Sequence, residues 1–586
     1  MLFYGDGART EDARDKLSAV ARALRGAEAT PAGIARHGAL VAVFIEAGEL
    51  AQGIADAEFE ARGGRDARSP AGDAALALLT RLAVAVRSSW DAGFASSDPV
   101  PAELFGALGA ASLPDAVRTK RAEGFAFYAL YPESYLAAAR SAGFAPGGPV
   151  KAIGIRSIGA ALGALVAAAV GAPPPVTLRP VGHPFRRELS LAEELERELL
   201  ADPSALFALA DEGPGLSGSS FGAVADFLEE HGVAPGRVHF FPSHGGGPGP
   251  QAGPRHRERW ARARRHVVEF DALVAPRLPS WVADLVGEPD GPLEEISGGG
   301  WRRLRYKREA EWPPVHAQAE RRKFLLRAEG RTWLLKFAGL GREGERKAER
   351  ARALHAAGFA PAVAGFRQGF LVEEWIGNAR ALDRGAHGGA RLAERVGQYL
   401  GFRARRFPAE AWQGASPAEL RGMARHNTAE AMGEAWGRRA ERATAGLEAR
   451  EPRLRRIETD NRLHAWEWLV APDGGLLKAD ALDHHAAHDL VGCQDVAWDV
   501  AGALVELALE RERGTLLAAV AREAGRAVDP GLVALLTPCY LAFQLGACTM
   551  AAQVAAPEEA PRLAAAVGRY AGLLRCALSD GGGEGR

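Results

Sequence analysis

The stretch Phe207-Ala-Leu-Ala-Asp-Glu-Gly-Pro-Gly-Leu-Ser-Gly-Ser-Ser-Phe221 decides how the first half of this chain is read. A short apolar strand ends in two acids, Asp211 and Glu212. A loop of Gly, Pro and Ser follows, and from Phe221 the apolar spacing is that of a helix. Such a unit sets its loop at the carboxyl end of a sheet, where α/β folds hold ligands. Backbone N–H groups of the loop, Gly215 and Gly218 among them, and of the helix N-terminus suit a phosphate, with the hydroxyls of Ser217, Ser219 and Ser220 beside them. The carboxylates of Asp211 and Glu212 suit the vicinal hydroxyls of a ribose.

Outward from this loop, strands and helices alternate between Val150 and Phe241. Residues 150–155, 176–178, 206–210 and 238–241 read as strands, 159–170 and 221–231 as helices. The order β-α-β-β-α-β predicts a parallel sheet covered by helices, and the Gly/Pro-rich run 244–250 ends its last loop. Before it, residues 11–142 are mostly helical by their three- and four-residue apolar spacing. The aromatic stretch Glu123-Gly-Phe-Ala-Phe-Tyr-Ala-Leu-Tyr-Pro-Glu133 admits two readings, packing at a domain junction or a wall facing a ligand.

The Asp211–Ser220 loop resembles the phosphoribosyl-diphosphate loop of type I phosphoribosyltransferases, with four residues (213–216) between the acid pair and Ser217-Gly218 where the common pattern has three. Gly154-Ile-Arg156-Ser157-Ile-Gly159 falls where that family has its diphosphate loop. The resemblance implies that Arg156, Ser157 and Gly159 hold the diphosphate, and that Arg179, His183, Arg186 and Arg187 shield it from a mobile loop. It also implies that Asp211 and Glu212 serve the reacting ribose through an oxocarbenium-like state, with a magnesium ion (Mg2+) carrying diphosphate charge.

A helical, Arg-rich bridge follows from Arg255 to about Val286, and then a second unit, strand-rich first and helix-rich after. Residues 323–327 and 332–337 pair as a hairpin around Glu329-Gly330. A charged helix covers 344–357, a strand 369–375, and a second hairpin turns at Asp473-Gly474. This half resembles the aminoglycoside-phosphotransferase and small-molecule kinase group of the protein-kinase-like fold. The resemblance makes Ser297-Gly-Gly-Gly-Trp301 the nucleotide-covering loop, Lys336 the lysine on the ATP phosphates, and Glu345 or Glu349 its helix partner. It makes Phe370–Ile376, with Glu373 and Glu374, the adenine hinge, Asp480 or Asp483 the metal ligand, and Asp499 the structural aspartate of a later helix. Counting back from Leu469-Val470 puts Arg462 in the base position and Glu467 where the family has asparagine, with Asp460 two residues early. Either the loop takes another path and Asp460 is the base, or this lobe is a weak kinase or a nucleotide-binding pseudokinase. The group His484, His485, His488, Asp483 and Asp489 reads either as a zinc site or as polar contacts within the kinase-like site.

At 586 residues the chain needs more than one core. The expected divisions are a helical extension (1–142), the parallel-sheet phosphoribosyltransferase-like domain (143–250), a linker (251–292) and a bilobal kinase-like domain (293–586), α/β followed by α+β. Lys plus Arg (72) balances Asp plus Glu (73), which favours small-molecule partners over nucleic acid. The four cysteines lack metal or disulfide spacing. The start carries no signal-like segment, and the run 158–172 is short of the roughly 20 residues that span a bilayer. A cytoplasmic protein off the membrane, with room for a homo-oligomer, is expected. Its function reads as phosphoribosyl transfer from phosphoribosyl diphosphate coupled to an ATP-dependent kinase-like domain. The alternative is a protein that senses these ligands without turnover.

Overall fold

The protein is described here by a computed structural model covering residues 8–145, 147–486 and 491–580. The first half contains a five-stranded sheet in the order Val176–Leu178, Val150–Ile155, Leu206–Ala210, Val238–Phe241, Arg264–Arg265, every neighbouring pair parallel. Parallel neighbours need crossovers. The helices Gly159–Val170 and Ser219–Glu230 supply two of them, on opposite faces. The period-two alternation sorts the side chains accordingly. Ala208 and Ala210 join the core under the first helix, Phe207 and Leu209 the core under the second. Two features differ from the sequence reading. A small hairpin, Val181–His183 with Arg186–Glu188, and a helix, Glu193–Leu200, separate the strands at 178 and 206. The sheet also runs past residue 250, because a two-residue strand at Arg264–Arg265 is too short to show a pattern.

The first strand and its helix approach closely because three glycines meet. A Cβ on Gly154 would lie 2.1 Å from the Gly159 carbonyl oxygen, and one on Gly163 3.1 Å from the Gly154 Cα. The helices Ile34–Ala61 and Pro70–Asp91 pack on the far side of Gly159–Val170, where Gly48 meets Ala161. Ile34–Ala61 and Pro530–Gln553 are long and apolar enough to cross a membrane by length and composition, which the emphasis on residues 158–172 overlooked. In the fold, 72% and 67% of their apolar windows are buried inside the protein.

The second sheet is antiparallel, in the order Glu294–Glu295, Lys323–Ala328, Arg331–Phe337, Phe370–Glu374, Val363–Arg367. Its first long hairpin turns at Glu329 and Gly330, both with positive φ (49° and 71°), which matches the twist of a two-residue connection. Phe324, Leu326, Trp333, Leu335, Phe337, Phe370 and Val372 point into the same core as the N-terminal helices. Their alternates, Lys323, Leu334, Lys336 and Glu373, therefore face the other way, into a cleft. The N-terminal helices are thus a layer packed between the two sheets and share one core with both. A separate core fills the helical lobe. Gly397 and Gly401, one turn apart, let the helices Ala390–Arg406 and Arg513–Ala524 touch.

Candidate active site

Between the antiparallel sheet and the helical lobe lies a cavity of about 680 Å³. Lys336, 2% exposed, binds the Asp480 carboxylate, which follows the hairpin of Trp468–Val470 with Leu476–Lys478. Lys323 Nζ lies 3.8 Å from the other Asp480 oxygen and 3.0 Å from Glu320. Asp483 accepts from Arg321 Nε at 3.1 Å and has Lys347 Nζ at 3.5 Å. Burial alone would raise both aspartates. Lys336, His484 and Lys323 around Asp480, and Lys347, Lys336 and Arg321 around Asp483, hold them well below the usual carboxylate range. Burial pushes the Lys347 ammonium down to about 8 and the Glu373 carboxyl up to about 7.

Asp480, Asp483 and His484 bring ligand atoms within 4.8 Å of one another, and the adjacent Asn461 leaves a buried Oδ1 without a partner. Carboxylate and amide oxygens of this kind fit a hard divalent cation such as Mg2+. His485 stands outside that group, buried, with burial holding its ring well below the usual histidine value. His488 and Asp489 lie outside the described residues, so the zinc reading is left with His484 alone of its three histidines.

Several expectations are corrected here. Asp460 does not face the cavity. Asp499, in the first turn of the helix Val496–Leu507, accepts from the backbone N–H groups of Asp460 (2.8 Å) and Asn461 (2.9 Å) and clamps the loop. The Asp460 side chain turns inward to the Tyr399 hydroxyl and Lys478 (3.4 Å), has the His484 ring at 3.5 Å between it and the cavity, and is 1% exposed. Arg462 is the exposed residue of that loop at the cavity wall. Glu345 and Glu349 do not hold Lys336. On the helix Gly341–Ala356 they are exposed, while the opposite stripe, Lys347, Arg350 and Leu354, faces inward. Asp480 takes the lysine instead. Glu373 and Glu374 both line the cavity, and Glu374 pairs with Arg331 at 2.9 Å. Ser297–Trp301 forms a tight turn in which Glu320 accepts from the Gly299 N–H (2.6 Å) and the Trp301 indole (2.8 Å), not an open flap. Sequence reasoning missed Arg305, stacked 3.7 Å from the Trp375 ring and donating to the Ile376 carbonyl at 2.8 Å.

At the parallel sheet, Asp211 and Glu212 stand at the end of the central strand, as read. The Tyr135 hydroxyl donates to the Asp211 carbonyl at 2.8 Å. Burial, with the Glu212 charge adding to it, raises the Asp211 carboxyl to about 8. Gly215 and Gly218 have positive φ (58° and 69°), and Gly218 caps the helix that begins Ser219-Ser220. Other residues are committed elsewhere. Arg156 is buried between Asp56 (2.8 Å) and Asp66 and donates to Thr177, so it does not face a diphosphate. Arg179 also binds Asp56 and reaches the Ser157 hydroxyl at 3.5 Å. Gly159 provides close packing against Gly154 and the Ala210 carbonyl. The Ser217 and Ser219 hydroxyls donate to the Pro184 carbonyl of the small hairpin, at 3.2 and 2.7 Å. Ser220 remains at the helix start, half-buried. Asp56 and Asp66 lie about a hundred residues upstream, and no local pattern links them to Arg156.

No protein-family profile and no curated protein matches the chain. Among solved structures, the choline kinase LicA from Streptococcus pneumoniae is similar at 16% identity and a TM-score of 0.34, over 51% of this chain and 98% of that one. A spectinomycin phosphotransferase in complex with ADP and spectinomycin is similar at 11% identity and a TM-score of 0.33, over 52% and 98%. A glucosamine kinase is similar at 18% identity and a TM-score of 0.30, over 52% and 84%. Likeness at this level decides nothing about activity, and the functional reading rests on the cavity itself.

Proposed function

We propose that the cavity between the antiparallel sheet and the helical lobe binds ATP with a divalent cation and transfers its terminal phosphoryl group to a small molecule. The carrying observation is the Lys336–Asp480 pair, a strand lysine and a post-hairpin aspartate joined across the cleft, with Asp483 and His484 beside them. Phosphoryl transfer asks a protein mainly for positioning and charge neutralisation. Lys323, Lys336 and Arg321 supply positive charge at the cavity wall, and Lys347 adds to it from the helix behind. Asp480, Asp483 and the Asn461 amide would hold Mg2+, which when bound neutralises phosphate charge. The apolar walls at Ile296, Leu469 and Ala479 suit a flat base. Titration of the whole chain with Mg·ATP tests this reading. Micromolar binding that Lys336→Ala abolishes supports it, and absence of binding by the native chain removes it. Binding without phosphoryl transfer to any acceptor would make the lobe a nucleotide sensor.

A second reading is favoured by one observation, the acid pair at the end of the central parallel strand before a glycine-capped helix. There a phosphoribosyl ligand would place its phosphate on the N–H groups of Gly215 and Ser220, the Gly218 N–H donating to the Pro214 carbonyl at 2.8 Å, and its ribose on Asp211 and Glu212. With Arg156 committed to Asp56 and Asp66, cationic cover for a diphosphate would come from Arg186 or Arg187 on the small hairpin. Titration with phosphoribosyl diphosphate tests it, with loss of binding in the Asp211→Asn, Glu212→Gln double variant as the expected result.

A further inference from the structure

Resting on the phosphotransfer reading, we propose that the acceptor at this cavity is an oxygen already ionised at neutral pH, a phosphate or a carboxylate bound by Arg462, rather than a neutral hydroxyl. A hydroxyl acceptor must lose its proton as the new bond forms, so the site needs a base within hydrogen-bond reach. Most carboxylates around the cavity are spoken for, and Glu373, on the sheet near Lys336 and Lys323, is only 5% exposed. Asp480 and Asp483 are held by Lys336, Arg321 and Lys347. Glu320 accepts from Gly299, Trp301 and Lys323, and Glu374 pairs with Arg331. Glu506 accepts from the Tyr570 hydroxyl (2.9 Å), the Tyr540 hydroxyl (3.2 Å) and Arg569 (2.9 Å). Asp460 is sealed beneath the loop. The His464 ring binds the Tyr570 hydroxyl through Nε2 at 3.0 Å, stacks on Trp466 and has its other nitrogen shut off from solvent. Glu373 and Glu467, the latter with Lys478 at 3.8 Å, are the least committed acids.

Where a base would stand, the loop presents Arg462. It is exposed and lines the cavity. Only its backbone N–H is engaged, with Asp460 at 3.2 Å, and its guanidinium holds no carboxylate among the described residues. A guanidinium cannot take a proton at neutral pH, but its fork of donors matches a carboxylate or phosphate. The repulsion between an anionic acceptor and the triphosphate is offset by the basic groups around the two aspartates. The step balances without a base. An acceptor oxygen lone pair forms a bond to the terminal phosphorus, the bridging P–O bond breaks with its electron pair on ADP, and no proton is moved.

The test uses the full chain with Mg·ATP and three acceptors: inorganic phosphate, acetate and ribose. Diphosphate or acetyl phosphate should form, the two anions telling phosphate from carboxylate, while ribose should remain unphosphorylated. Arg462→Ala should lower anion-dependent ATP consumption about tenfold or more, and Arg462→Lys should recover part of it, with Mg·ADP affinity unchanged in both. Phosphorylation of ribose, which loss in Glu467→Gln or Glu373→Gln would trace to its base, or anion-dependent consumption indifferent to Arg462→Ala, would overturn the proposal while leaving the nucleotide site standing. Failure of the native chain to bind Mg·ADP would instead remove the phosphotransfer reading, and this proposal with it.

Discussion

At the scale of single residues, the resemblance to small-molecule kinases named Lys336, and Asp480 or Asp483, because each sits in a local pattern: a lysine inside an apolar strand and acids just after a tight hairpin. That Lys336 meets Asp480 and not a helix glutamate came from the fold. Lys336→Ala should therefore remove stabilisation by Mg·ATP in a thermal-shift assay. At about 100 times the dissociation constant, the native chain should gain about 2.7 kcal/mol and the variant almost none, with any stabilisation by phosphoribosyl diphosphate kept. Asp211 carries a pH signature. Its carboxyl rises to about 8 in the fold from about 4 in the unfolded chain. Between those values the folded state binds the extra proton, so this contribution is present in acid and is lost as pH rises through 8. Thermal melts from pH 5 to 8.5 should show the Asp211→Asn variant losing less stability with rising pH than the native chain. Asp460 shows the limit of such reading. Its number in the chain fits a catalytic loop, but its direction is set by Tyr399, Lys478 and Asp499, which no local pattern names.

At the scale of elements, the period-two strands and the Glu329-Gly330 turn were legible because their physics is local. The helix Gly341–Ala356 was legible as a helix, but its inward face was not. Its small residues Gly344, Ala348 and Ala351 mark only a narrow uncharged stripe among many charges, and packing against Phe127 and Asp483 selects Lys347 over Glu345 and Glu349. The close approach of Val150–Ile155 to Gly159–Val170 gives a sharper expectation. A methyl group on Gly154 would strike the Gly159 carbonyl, backbone that has nowhere to move. Gly154→Ala should cost about 3 kcal/mol or more, read as a lowered urea midpoint, whereas Gly171→Asn, in open space at the left-handed end of the same helix, should cost little.

At the scale of the whole molecule, one core runs from the N-terminal helices into both sheets, and the segment Glu123–Phe127 lies between the two candidate sites. Gly124 approaches the Glu212 carboxyl, while Phe127 sits under Arg321 and Lys347, with Arg321 donating to its carbonyl at 2.9 Å. The aromatic stretch thus serves mainly as packing, with Tyr128 alone of its rings at the cavity wall. Deleting residues 8–142 should leave a remainder without a cooperative melt by circular dichroism, because it would expose the apolar faces of Gly159–Val170 and of the antiparallel sheet together. The sequence by itself determined the main strands of the parallel sheet and the central ones of the antiparallel sheet, most helices, the hairpin turns it named and the acid pair, since each depends on residues within a few positions of one another. The tertiary structure decided the rest: the commitment of Arg156 to Asp56 and Asp66, the inward turn of Asp460, the place of Arg462 at the cavity wall, and the union of the N-terminal helices with both sheets. Those outcomes depend on which distant charges and apolar faces meet when the cores close, and burial gives such meetings their energy.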